Sequence, residues 1–348
     1  MENKNYSCLH DASLIGVFLI GNMFISISKP SAFLGLLFAA LLAFFLVGIL
    51  VKIQSANSNF RAEMFASSYL NKLQKTVLLT VLTAFLLIIY IISSNDYVSI
   101  VDSIRLPNTS RFLITLIFIS LSVIMAFSRK NVIYAFAFTS AIFLLGTTLI
   151  MWILSIPNMR LEVFKEILNI NITETFWDAL GIFAKSFGQI IIIILFIGYR
   201  GVSYARKSQF LGIGFAALIL MICFSNTFLL LGNRIINEVN FPYAAATGII
   251  TVGKNFSRLD GFTYYNYFIL SLIKMTVVYK TVLSISKNLN KSFYIISAVS
   301  FPVICLIITS FNFTDEVVKS NYMVYILLGF EVLVTLLFFL FTRKPVKK

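Results

Sequence analysis

The sequence predicts an all-α polytopic membrane protein with ten transmembrane helices, and three observations lead there. Of 348 residues, 59% are hydrophobic and only 12% charged, at a mean hydropathy of +0.92, whereas a soluble chain carries about 25% charged residues. Apolar runs of about 20 residues, the length a helix needs to cross a bilayer, recur along the whole chain. The basic residues between those runs collect on alternate connections, as the positive-inside rule requires.

The first run, ASLIGVFLIGNMFISIS, lies at 12–28. Acidic as well as basic residues precede it and no small-residue cleavage site follows, so it reads as a retained helix and not as a signal peptide. Lys29-Pro30 turns the chain into the uncharged second run at 31–51. The third, 75–93, follows the connection Lys52 to Lys75 and is expected to stop at the polar Ser94-Asn95-Asp96. A short fourth, 112–128, is joined to the fifth, 132–155, by Arg129-Lys130-Asn131, and Pro157 ends the fifth. The sixth, 176–198, opens on Trp177 and Asp178, where an aromatic belt is expected. The seventh, 210–231, stops at Gly232; the eighth is 262–284; the ninth, 293–311, contains Pro302; the tenth, 323–342, runs into a basic tail. Between seventh and eighth, AAATGIITV is too short to span yet too apolar for a solvated loop, and reads as an interfacial or re-entrant helix.

Ten spans put both termini on one face. That face, with the even-numbered connections, holds 17 Lys and Arg against 9 on the other, and 3 acids against 9. The faces therefore carry about +14 and 0, which places both termini in the cytoplasm. The formal net charge of +14 thus records orientation and not a nucleic-acid partner. Cys8, Cys223 and Cys305 are odd in number and form no C-x-x-C, and His10 is the only histidine, so neither a disulfide framework nor a metal or cofactor site is indicated. P-loop, G-x-G-x-x-G and G-x-S-x-G motifs are absent, which argues against an enzyme.

An ionisable side chain inside a span costs a few kcal/mol, so each one is a functional candidate. Lys274 lies deepest, in the middle of FILSLIKMTVVYK, as a functional cation or a lysine bonded to carbonyls of the bundle. In FAKSFGQIIIIILF, Lys185, Ser186, Phe187, Gly188 and Gln189 mark either a broken helix exposing backbone groups to a ligand or a helix that enters the membrane at Gln189. Gly21-Asn22, followed by Met23, places a flexible backbone and an amide within the first span, or else near its outer end. Glu331 faces the bundle or pairs with a loop, and Arg258 and Asp260 mark the turn into the eighth span, as an ion pair or as plain loop charges.

Four stretches resemble the B subunits of bacterial spore germinant receptors, the endospore germination permeases of the amino acid/polyamine/organocation superfamily. These are LIGNMFISISKPSAFLGLL, LSIPNMRLEVF, SFGQIIIIILF, and FPYAAATGIITVGKNFSRLDGFTYYNYFILSLIKMTVVYK, whose order and spacing carry the resemblance along essentially the whole chain. Position 189 departs from the pattern, being Gln where an acid is expected. The resemblance implies a LeuT-like fold of two inverted five-helix repeats, one over about 12–155 and one over about 176–311 completed by 323–342, with helices 1 and 6 broken around a central pocket. It implies sensing of a small nutrient in the spore inner membrane beside A and C subunits, with a stand-alone secondary amino acid transporter as the alternative. Carried over by position, the ligand would be held by Gly21, Asn22, Met23, Ser186, Phe187, Gly188, Gln189 and Lys274, with Arg258 and Asp260 as a structural or gating ion pair.

Overall fold

A computed structural model describes residues 4–21, 31–56, 72–103, 109–163, 171–198, 201–236, 238–239, 241–252, 256–257, 259–287, 291–310 and 321–342. The helices are α1 (Lys4–Ile20), α2 (Ser31–Ala56), α3 (Lys72–Ser103), α4 (Arg111–Phe127), α5 (Lys130–Ser155), α6 (Ile172–Lys185), α7 (Ile190–Ile197), α8 (Val202–Ile236), α9 (Pro242–Ile249), α10 (Asp260–Lys287), α11 (Lys291–Ser310) and α12 (Asn321–Thr342). Among the described residues, seven helical stretches are long and apolar enough to cross a membrane, α6 and α7 together forming one of them. Three shorter apolar helices, within α1, α4 and α12, occupy the other three positions expected from sequence.

Two boundaries differ from expectation. The first helix begins at Lys4, eight residues before the expected start at 12, residues 22–28 of that expected span lying outside the described residues, and α3 runs on to Ser103, ten residues past the expected stop at 93. Ser93, Ser94, Asn95 and Asp96 are all buried inside α3. The reason lies downstream: Arg111, heading α4, donates to Asn95 Oδ1 (2.8 Å), to Asp102 Oδ2 (3.2 Å) and to the Thr309 carbonyl of α11 (3.1 Å). Those bonds satisfy polar groups that a hydropathy pattern counts only as a break.

Contacts at the helix ends show that successive spans alternate in direction. At one end Tyr204, early in α8, donates to Asp11 of α1 (2.9 Å), and Gln209 of α8 meets Gln54 near the end of α2 (3.1 Å). At that same end Lys280 of α10 donates to the Ala126 carbonyl (2.7 Å) and the Ser128 carbonyl closing α4, and Lys130 heading α5 donates to the Phe196 carbonyl closing α7 (3.3 Å). A cation at a helix C-terminus meets the free carbonyls and the negative end of the dipole. The opposite end holds the Arg111 cluster, the bond from Ser31 of α2 to Asp178 of α6, and Trp177 against Tyr325 of α12. The start of α1 and the end of α12 therefore lie at one end, the end rich in Lys and Arg.

Every residue from Ile269 to Tyr279 is buried, which makes α10 the central shaft. The outer helices leave Phe38, Leu41 and Phe45 of α2, Ile117 and Ile124 of α4 and Val299 of α11 exposed, the apolar girdle a bilayer covers. The short apolar segment after α8 is the helix α9, packed on α8 and α10 and followed by a two-stranded turn, Thr251–Val252 with Phe256–Ser257. Gly232 interrupts α8 at φ 71°, a left-handed conformation costly to any residue with a Cβ.

The closest helix pairing, α1 on α8, depends on small residues: a Cβ at Gly212 would sit 2.6 Å from Ile15 and 2.9 Å from the Ala12 carbonyl. Without water to drive association, close backbone approach is what holds membrane helices together. Gly214, two residues on, faces open space. Gly212→Leu is therefore expected to abolish the monodisperse detergent-solubilised protein on size exclusion, while Gly214→Leu leaves it intact.

Candidate functional site

The sixth span breaks at Ser186, whose backbone (φ −131°, ψ −81°) leaves the helix. A single 3-10 turn, Phe187–Gln189, then leads into α7. The Ser186 hydroxyl donates to the Leu19 carbonyl (2.6 Å), tying the break to the last turn of α1. Two N–H groups at the break are already used, Gln189 N on Ser186 O (3.3 Å) and Ile190 N on Phe187 O. Residues 186–196 are buried without exception.

Around this break four elements converge. Lys274 comes from the middle of α10, fully buried, with its ammonium 5.2 Å from the centre of the Phe18 ring. Such a desolvated cation–π contact contributes about 2 kcal/mol. The lysine stem passes over Gly21, where a Cβ would lie 2.9 Å from Lys274 Cδ, so glycine at the end of α1 is what lets the stem through. From α12 the Glu331 carboxylate, 2% exposed, rests directly against Gly188, in the space a Cβ would need. The charge of Glu331 acts on Lys274, and Asp96 of α3 acts on both Lys274 and the half-buried Lys185.

Lys274 Nζ, both carboxylate oxygens of Glu331 and Gln189 Oε1 are buried with no hydrogen-bond partner among the described residues. Gln189 uses only its amide nitrogen, donating to the Ala184 carbonyl (3.2 Å). A buried polar group without a partner costs about 1–3 kcal/mol, more when charged. Three such groups, Lys274, Glu331 and Gln189, lie around the one helix break.

Of the residues expected at the site, the fold brings together Gly21, Ser186, Phe187, Gly188, Gln189 and Lys274. Asn22 and Met23 lie outside the described residues, as does Arg258. Asp260 heads α10 with its carboxylate near Gly248 of α9, 3.9 Å from a Cβ built there. Sequence reasoning left Glu331 outside the site, put Asp96 in a loop, and did not single out Phe18. The signal for Asp96 was the apolar run Tyr97, Val98, Ile100, Val101 that follows it and continues the helix.

A multi-pass bundle with a broken sixth span and a charged, buried centre defines a permease-like membrane protein. Residues 12–318 match the spore permease family, described as spore germination protein. The chain belongs to that family. No curated protein sequence matches it. Among solved structures it is similar to Mhp1, a nucleobase-cation-symport-1 family transporter in a closed conformation with bromovinylhydantoin bound. There the identity is 14% and the TM-score 0.67, over 95% of this chain and 77% of that one. It is also similar to a sodium-coupled sialic acid symporter, substrate-bound and outward-open, at 11% identity and a TM-score of 0.61, over 95% and 78% of the two chains. These likenesses show the fold, that of LeuT-like transporters; family and neighbours alike are permease-like and not enzymes.

The three atoms nearest a Cβ at Gly188 all belong to the Glu331 side chain. Gly188→Ala is expected to destabilise the detergent-solubilised protein by about 1–3 kcal/mol, the usual cost of overpacking. In a Glu331→Ala background the same change should cost almost nothing, a non-additivity read from thermal midpoints of the four proteins.

Proposed function

We propose that this chain is the nutrient-sensing, permease-like subunit of a spore germination receptor. In this reading it binds a small nutrient, an amino acid, at the broken sixth span, in a complex with A and C subunits in the spore inner membrane. The observation that carries the proposal is the buried Lys274 ammonium, without a hydrogen-bond partner among the described residues, beside the break in a chain of the spore permease family. A buried charge without a hydrogen-bond partner costs several kcal/mol even with opposite charges nearby, and a ligand that bonds to it recovers part of that cost on binding. The ligand would lie among Gly21, Asn22, Met23, Ser186, Phe187, Gly188, Gln189 and Lys274, with Arg258 and Asp260 pairing at the entrance to α10. Both termini would face the cytoplasm, and binding would trigger ion release.

The two inverted repeats, 12–155 and 176–311 completed by 323–342 as a tenth span, belong to this proposal, and the packing supports them. Span 1 packs on span 7 (α1 on α8) and span 2 on span 6 (α2 on α6). These two pairings exchange under a two-fold axis that relates span n to span n+5. The pairing of span 3 with span 8 (α3 on α10) maps onto itself.

A stand-alone secondary amino acid transporter is the second reading, favoured by the symporter neighbours. Fold does not separate the two. Deleting the gene in a spore former and scoring germination on a nutrient panel does: loss of response to one nutrient supports the receptor, whereas normal germination with lost uptake in vegetative cells supports the transporter. Lys274→Ala spores are expected to lose the response at near-normal protein levels; a wild-type dose response from them would overturn the site.

A further inference from the structure

We propose that Glu331, with Gln189 Oε1 of the turn it rests against, forms the ammonium half of the ligand site and Lys274 the carboxylate half, so that the site selects a net-neutral zwitterion. The inference rests on the pocket proposed above and adds to it a residue from α12 and a rule for what fits.

The unpartnered atoms define the chemistry. Glu331 offers two carboxylate oxygens and Gln189 one carbonyl oxygen, all acceptors; Lys274 offers three N–H donors. The ligand must bring donors to the first pair and acceptors to the second. Hydrogen-bond counting alone would admit a polyol, which carries both. Charge narrows the choice. The ionisable groups acting on one another around the break are Lys274 and Lys185 against Asp96 and Glu331, two of each sign. A cationic amine or an anionic acid would add an uncompensated charge to a low-dielectric interior, whereas a zwitterion keeps the sum at zero and gives each buried charge an opposite partner. A neutral sugar or nucleoside brings no charge to either group, so it forms no ion pair with Glu331 or Lys274. Backbone N–H groups contribute less than a broken helix suggests, since those of Gln189 and Ile190 are already bonded within the 3-10 turn.

Gly188 fits the same role: its missing Cβ is the space the Glu331 carboxylate occupies, which holds the acid at the break instead of against the lipid face of α12. Gln189 cannot take over as counter-charge, and its amide nitrogen is held by Ala184, which leaves only the carbonyl oxygen turned to a ligand.

The test uses the purified full chain in detergent and titration calorimetry with L-alanine, L-valine and L-leucine. The amino acid that binds is then compared with its decarboxylated amine and its deaminated acid, for L-valine isobutylamine and isovalerate. Glu331→Gln, which keeps size and an acceptor oxygen, should weaken the amino acid tenfold or more and leave the deaminated acid unchanged. Lys274→Met should do the reverse, weakening the deaminated acid and sparing the amine. Equal amino acid affinity in Glu331→Gln and wild type would overturn the ammonium assignment while leaving the pocket standing. Failure of all three amino acids to bind wild type would overturn the pocket and this inference together. Should Glu331→Gln not yield folded protein, competition on wild type decides: displacement of L-valine by isobutylamine and by isovalerate at least tenfold weaker than by a second amino acid supports the assignment, and displacement by either as strong as by an amino acid overturns it.

Discussion

A charge buried in a bilayer has no water to turn to, and everything around the centre of this protein follows from the lysine placed there. Lys274 sits on a helix whose neighbours enclose it on all sides, at zero exposure. Moving an ion of that kind into a low-dielectric interior costs several kcal/mol, so the fold supplies opposite charge from two directions, Asp96 on α3 and Glu331 on α12. Bringing those groups together needs room. Glycines at 21 and 188 provide it, one for the lysine stem and one for the carboxylate. The break in the sixth span and the end of the first are then held to each other by the Ser186 hydroxyl. Helix packing, chain breaks and small residues at the centre are thus consequences of one electrostatic demand.

How far this was legible in the sequence depends on what kind of quantity each feature is. Depth in the membrane is one-dimensional: Lys274 stands six residues from the nearest other charge-bearing position, Lys280, inside an apolar run, and Ser186-Phe187-Gly188-Gln189 interrupts another. Those features survive into the structure where sequence placed them. Direction around a helix is different. Glu331 has apolar neighbours on both sides along the chain, so nothing in its surroundings says whether it faces lipid or the bundle; only the packing of α12 on α6 and α3 turns it inward. Helix ends are a third kind. Asp96 looked like the start of a loop because three polar residues in a row end an apolar window, yet partners on α4 and α11 arrive from far along the chain to support the extra turns.

The alternation of spans was legible for a related reason. Counting basic residues uses the sum over many loops, so it tolerates errors in single boundaries. The contacts that bear it out are local and independent: Lys130 and Lys280 close helix C-termini at one end, while Arg111 and Ser31 bind at the other.

The glutamine at position 189 looked from sequence like a missing charge, because the resembling family carries an acid near that glycine. In three dimensions the acid is not missing. Glu331 reaches the same glycine from a different helix, with its carboxylate where a side chain of residue 188 would be. The structure thus has a carboxylate against the break in the sixth span, acting on Lys274, and that placement is set in space and not by sequence position. An acid carried on α12, and not in the turn at position 189, has a different mechanical linkage. The anion now rides on a helix that packs against α6, α3 and α2, so whatever engages it at the break acts on those three helices as well.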